Sequence, residues 1–130
     1  LILEPAGLLY HSSRKEASAA AADTTTAALL LPRDLDRRRA IFIEPLADCI
    51  HAVRDQARLE PGQKLVVIAA GVMGLKIIAD AARLGCEVMA VEPLAPRQAA
   101  ARTFGASLVT GPEGWAEAAA DWTGGQGVDA

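Results

Sequence analysis

The sequence predicts an α/β fold: one half of a doubly wound parallel sheet, about three to four strands, with flanking helices. Three observations predict it. Continuous apolar runs rich in branched residues stand at 64–69 and 86–91, each bounded by turns, which is how strands covered on both faces read. Between and beyond them, apolar residues recur at helical spacing. The connections are too long for hairpins, which leaves parallel strands joined by crossover helices.

Residues 1–28, "LILEPAGLLYHSSRKEASAAAADTTTAA", sustain neither a period of two nor one of 3.6 and are rich in Ala, Ser and Thr. They predict an irregular segment, and residues 1–40 together a remnant or linker ahead of a domain at 41–130. Ile43, Leu46, Ala47, Ile50, Val53 and Ala57 predict an amphipathic helix over 45–58, with Pro45 in its first turn. "EPGQ" (60–63) puts Pro and Gly where a type II turn requires them. The first strand follows at 64–69. After Gly71, Val72, Leu75, Ile78, Ala79 and Ala82 predict a helix closed by Gly85. "CEVMAV" (86–91) is the second strand, "APRQAAARTF" (95–104) a helix stopped by Gly105, and "SLVT" (107–110) a third short strand. A helix at about 113–122, the turn "GGQG" and "VDA", the start of a fourth strand, complete the chain.

With 130 residues the chain predicts one domain with a real core, and 52% hydrophobic against 22% charged residues is the balance of a globular protein. Aromatics make up only 4%, so the core is built from Ala, Val, Leu and Ile. A net charge of -3 offers no footprint for nucleic acid, and Arg37, Arg38 and Arg39 read as a solvated helix start. No run reaches the roughly 20 apolar residues of a membrane span, and no signal peptide is visible. Cys49 and Cys86 form neither a disulfide framework nor a C-x-x-C pair, so the expected setting is cytoplasmic and reducing.

"VVIAAGVMGL" (66–75) carries a strand straight into a glycine turn and a helix. In the dinucleotide pattern G-x-G-x-x-G the glycines serve, in order, a tight turn, room for the pyrophosphate, and close helix packing. Here Ala69 occupies the first position, Gly71 the second and Gly74 the third. Val72 and Met73 would offer the N–H groups of the helix start to the phosphates. An alanine is harmless if its φ stays negative, and costs about 1 kcal/mol or more if the turn is left-handed. G-x-x-G alone also suits ordinary helix and strand packing. Glu92 stands 21 residues after Gly71 at the end of the second strand, where a carboxylate can accept a ribose diol and repel a 2'-phosphate. That predicts a Rossmann-like, NAD-preferring site. Arg97 either flanks the adenosine or is a surface residue.

From about Leu30 onward the chain resembles the medium-chain, zinc-type alcohol dehydrogenase family, in particular its polyol and threonine dehydrogenase branch. "LPRDLD", "IEPLADCIHAVR", the stretch from Leu59 to Glu92, "RTFGASLV" and "TGGQGVD" carry the resemblance. It implies a cofactor-binding region of an oxidoreductase that passes hydride from a secondary alcohol or polyol to NAD, with catalytic zinc as Lewis acid. By the same resemblance the Glu of E-P-L, Glu44, is a metal ligand, although a helix-start carboxylate equally serves as a cap or dipole partner.

The family's Cys and His-Glu ligands have no counterpart in residues 1–28. Cys49 lies about 140° around the helix from Glu44, and His51 roughly 10 Å along it, so neither completes a site with it. The expectation is a chain inactive by itself. A non-enzymatic nucleotide-binding or partner-binding module is the alternative. The first strand is left as an apolar edge, which predicts association, including a homo-oligomer.

Overall fold

The structure is a computed structural model that describes the backbone of residues 2–4, 7–12 and 27–130 and the side chains of 31–130. The chain divides into two compact units, Leu1–Pro45 and Leu46–Ala130.

In the first unit, β1 (Ile2–Glu4), β2 (Gly7–Ser12) and β3 (Ala27–Leu30) form an antiparallel sheet in that order. Ile2 pairs with Leu9, and Leu9 with Leu30. The expectation of an irregular stretch over 1–28 is corrected at these strands. Runs this short do not establish an alternation against their neighbours, and β2 finds its second partner far along the chain, so no local pattern announces the pairing. Residues 1, 5–6 and 13–26 lie outside the described residues. The arginines enter α1 (Arg37–Ala40), whose Asp36 cap accepts the Arg38 N–H at 2.9 Å. All three are exposed, as a solvated helix start requires.

The helix expected over 45–58 is α2 (Ile43–His51) followed without a break by a π-helical turn at Ala52–Gln56. Its buried stripe passes through Cys49 and Val53, whereas Leu46, Ala47 and Ala57 are exposed. The expected apolar face is therefore rotated. Cysteine is among the most buried residue types, and the wider π turn shifts the phase of everything after it. The "EPGQ" turn forms as read: Gln63 N–H donates to the Glu60 carbonyl at 3.2 Å, with Gly62 at φ 87°.

The second unit then alternates strand and helix. Its elements are β4 (Lys64–Ile68), α3 (Val72–Leu84), β5 (Glu87–Val91), α4 (Ala95–Thr103), β6 (Leu108–Thr110) and α5 (Trp115–Thr123). The sheet order is β4-β5-β6, all parallel, with Ile68 opposite Val91 and Val91 opposite Thr110. In β5, successive residues Val88, Met89 and Ala90 are all fully buried, so both faces of the central strand are covered. This is why its sequence reads as an unbroken apolar run. Val67, Ile78, Ala81, Ala90 and Ala101 share the core cluster that joins α3 and α4 to the sheet.

"VDA" does lie along the free side of β4. Asp129 N–H donates to the Lys64 carbonyl, Val66 N–H to the Ala130 carbonyl (both 2.9 Å), and Lys64 N–H to Asp129 Oδ2 at 2.7 Å. The edge expected to be bare is thus occupied along Lys64–Val66. Ile68, just beyond, remains 68% exposed. Lys64 Nζ also donates to the Trp122 carbonyl at 3.0 Å and lies over the Trp122 ring, tying α5 to β4. No helix among the described residues is long and apolar enough to cross a membrane.

Candidate cofactor-binding site

The carboxyl end of β4, the turn 69–71 and the start of α3 form one structural unit. Ala69 N–H still donates to the Val91 carbonyl at 2.8 Å, continuing the strand pairing. Ala69 itself then turns left-handed, with φ 75°. This is the unfavourable of the two geometries considered for an alanine at the first motif position, and it places about 1–2 kcal/mol of strain in the turn. Ala70 is fully buried beneath it.

Gly71 caps α3 with φ -76° and ψ -168°, an extended backbone that any residue adopts. A Cβ built on Gly71 meets no protein atom within 4 Å. Neither backbone nor packing calls for glycine there; a side chain at this N-cap would enter open space. The first-turn N–H groups of α3 have no intrahelical acceptor, and Gly71 at the N-cap supplies no side chain to cap them. Val72 and Met73 present exposed side chains beside this opening. Gly74 is the opposite case: a Cβ there would overlap the Ala69 carbonyl oxygen and lie 3.4 Å from Val67 Cγ1. The third glycine therefore does the packing job expected of it.

Glu92 follows the end of β5, directly across from this turn. Its carboxylate was expected to face a ribose diol. Instead the residue is 1% exposed, and both oxygens are engaged by backbone: Oε2 accepts the Ala70 N–H at 2.8 Å and Oε1 the Leu94 N–H at 2.9 Å. Gln98 Nε2 further donates to the Glu92 carbonyl at 2.7 Å. Ala70, Leu94 and Gln98 escaped the sequence reading. The first two act through backbone N–H groups, which residue type does not reveal. Arg97 is exposed at the start of α4.

Cys49 is buried and its Sγ donates to the Met73 carbonyl at 3.6 Å, linking α2 to the first turn of α3. Burial pushes its pKa up, with Lys76 partly opposing the shift. Arg54 in the π-helical turn grips Asp80 of α3 with two bonds, Nη2 to Oδ1 at 2.7 Å and Nε to Oδ2 at 3.1 Å. His51 Nδ1 is bonded to Asp55 Oδ2 at 2.6 Å.

Glu44 is exposed in the first turn of α2. Among the described residues no three His, Cys, Asp or Glu side chains converge as a metal site. The described residues therefore do not by themselves assemble a catalytic zinc site around Glu44. Two apolar clefts of about 250 Å³ each are lined by β4, one also by Val53, Leu59 and Ile77, the other also by Trp115 and Val128. Neither is lined by Gly71, Gly74 or Glu92, and such walls suit apolar packing better than a diphosphate.

No family model matches the chain. Known proteins do. The 2-dehydro-3-deoxy-L-galactonate 5-dehydrogenase of Pseudoalteromonas atlantica is 34% identical over 100 residues, covering 76% of this chain and 29% of that protein. An uncharacterised zinc-type alcohol dehydrogenase-like protein of Escherichia coli is 34% identical over 80 residues, 61% of this chain and 23% of its own length. The solved structure of Escherichia coli quinone oxidoreductase complexed with NADPH superposes with a TM-score of 0.70 at 25% identity, over 78% of this chain and 32% of that one. The chain belongs to the medium-chain, zinc-type alcohol dehydrogenase family through its cofactor-binding region. It spans less than a third of the length of these relatives. As a family member it is related to oxidoreductases that use nicotinamide nucleotides, and its three-stranded parallel sheet with flanking helices is the corresponding Rossmann-like layer.

Proposed function

We propose that this chain is the NAD-binding part of a dehydrogenase that transfers hydride from a secondary alcohol, of polyol or sugar-acid type, to NAD. The observation that carries the reading is Gly71: its Cβ would enter open space at the N-cap of α3, a helix to which it contributes no side-chain cap. A diphosphate there meets the positive end of the α3 dipole and free donors at once. Val72 and Met73 supply those donors, Gly74 allows α3 to approach, and Ala69 shapes the turn.

The preference for NAD over NADP is read from the Glu92 charge behind the turn and not from a bond of its buried carboxylate to the ribose. Arg97 flanks the adenosine side from α4. In the whole reaction the alcohol carbon gives up hydride to the nicotinamide and the hydroxyl gives up its proton. This chain's residues hold the cofactor for that step. The described residues alone assemble no zinc site around Glu44, and Glu44 is left without an assigned role. The two free cysteines, Cys49 and Cys86, suit a reducing, cytoplasmic setting.

Calorimetric titration with NAD, ADP-ribose and NADP tests the reading. Saturable binding of NAD and ADP-ribose, with NADP weaker, is expected. Absence of binding by all three would remove it.

A further inference from the structure

We infer that the Glu92 carboxylate is a positioning group: its backbone hydrogen bonds hold the turn at Ala69 and Ala70 in its ligand-accepting shape, and it is not the acceptor of the ribose diol. This rests on the dinucleotide reading of the turn. The left-handed conformation of Ala69, φ 75°, takes the next N–H, that of Ala70, out of the strand ladder, whose last bond is Ala69 N–H to the Val91 carbonyl. Ala70 is fully buried, so its N–H needs a protein acceptor. Glu92 Oε2 is that acceptor at 2.8 Å.

The other oxygen, Oε1, takes the Leu94 N–H at 2.9 Å, which anchors the carboxylate to the loop entering α4. The Glu92 backbone is fixed too, its N–H donating to the Thr110 carbonyl and its carbonyl accepting from Gln98. With 1% of its surface exposed, the side chain offers almost no face to a diol. What it does offer is a charge-assisted bond to the residue that follows the strained alanine. A glycine at position 69 would adopt the same geometry without strain, so the turn depends on the clamp because an alanine stands there. The two residues are energetically coupled.

The test uses ADP-ribose and its analogue lacking the adenosine 2'-hydroxyl, titrated into the full chain as wild type, Glu92→Gln, Ala69→Gly and the double variant. Glu92→Gln is expected to weaken both ligands by the same factor, about tenfold. Ala69→Gly is expected to recover about threefold or more of that loss in the double variant, a larger gain than it brings to the wild type. A loss confined to ADP-ribose, or an Ala69→Gly effect equal in both backgrounds, overturns the assignment.

If the wild type binds neither ligand, the dinucleotide reading fails, and the clamp is judged by amide hydrogen exchange. Exchange at Ala70 accelerated at least about tenfold by Glu92→Gln, with Ala69 little changed, supports it; unaltered exchange at Ala70 overturns it. Should Glu92→Gln not unfold cooperatively, Glu92→Asp, which keeps the charge but shortens the reach, is read by the same criteria.

Discussion

Gly74 stands directly under the Ala69 carbonyl, so that any Cβ on Gly74 would overlap that oxygen and lie 3.1 Å from the carbonyl carbon. Both partners of the clash are backbone or rigid Cβ, and no rotamer change relieves it. Gly74→Ala is expected to destabilise the fold by about 1–3 kcal/mol. Ala69→Gly, which removes a left-handed alanine, is expected to stabilise it by about 1 kcal/mol, or roughly 4 °C in melting temperature. Urea and thermal unfolding check both. A melting temperature unchanged by Ala69→Gly would contradict the strained turn.

Gly71 predicts a separation of folding from binding. Its extended backbone and empty surroundings mean that Gly71→Ala leaves stability within about 0.5 kcal/mol of wild type. The added methyl group nevertheless enters the space assigned to a diphosphate, so ADP-ribose affinity is expected to fall about tenfold or more, and further with Gly71→Val. Parallel melting curves and calorimetry on the same samples measure this. Equal affinity for all three proteins would move the ligand elsewhere.

Both thiols are pushed above the ordinary cysteine value, chiefly by burial, with Asp48 and Asp80 adding to the shift at Cys49 and Asp129 and Asp80 at Cys86. Their Sγ–H groups donate to the Met73 and Glu60 carbonyls. A thiol raised on folding contributes stability that is fully present below its unfolded value, about 8.5, and is lost as pH rises through the higher folded value. The urea midpoint should therefore fall on the alkaline side. The fall should be smaller in a Cys49→Ala, Cys86→Ala variant, and thiol reagents should react slowly until the protein is unfolded.

The Arg54 grip on Asp80 joins the π-helical turn to α3, and Asp80 is only 7% exposed. Removing the arginine leaves a buried carboxylate without its partner, whereas replacing both residues removes the problem together with the pair. Arg54→Met should lower the melting temperature more than the double variant Arg54→Met, Asp80→Leu. A double variant melting below Arg54→Met would argue that the pair itself, not the orphaned charge, sets the stability.

The alternation of strands and helices from Lys64 onward was legible because β-branched runs and glycine stops act locally: Gly62, Gly85 and Gly105 all have the positive φ their positions implied. What lay beyond the sequence was long-range or conformational. β3 depends on pairing with β2 across distant residues, and the π-helical turn that follows α2 is announced by no residue type. At the site, Gly71 and Gly74 could be told apart by motif position. The fate of Glu92 could not, since its partners are two N–H groups, and every residue except proline carries one.

Beside its Val, Leu and Ile side chains the core of the second unit uses single methyl groups, with Ala70, Ala81, Ala90 and Ala101 all inaccessible to solvent. Those four positions have little left to trim, and enlarging any of them would press a helix away from the sheet. Drift within this core is consequently one-sided: a small residue exchanged for another small one survives, while gain of bulk propagates to the neighbouring layer and, through Ala70, to the mouth of the turn.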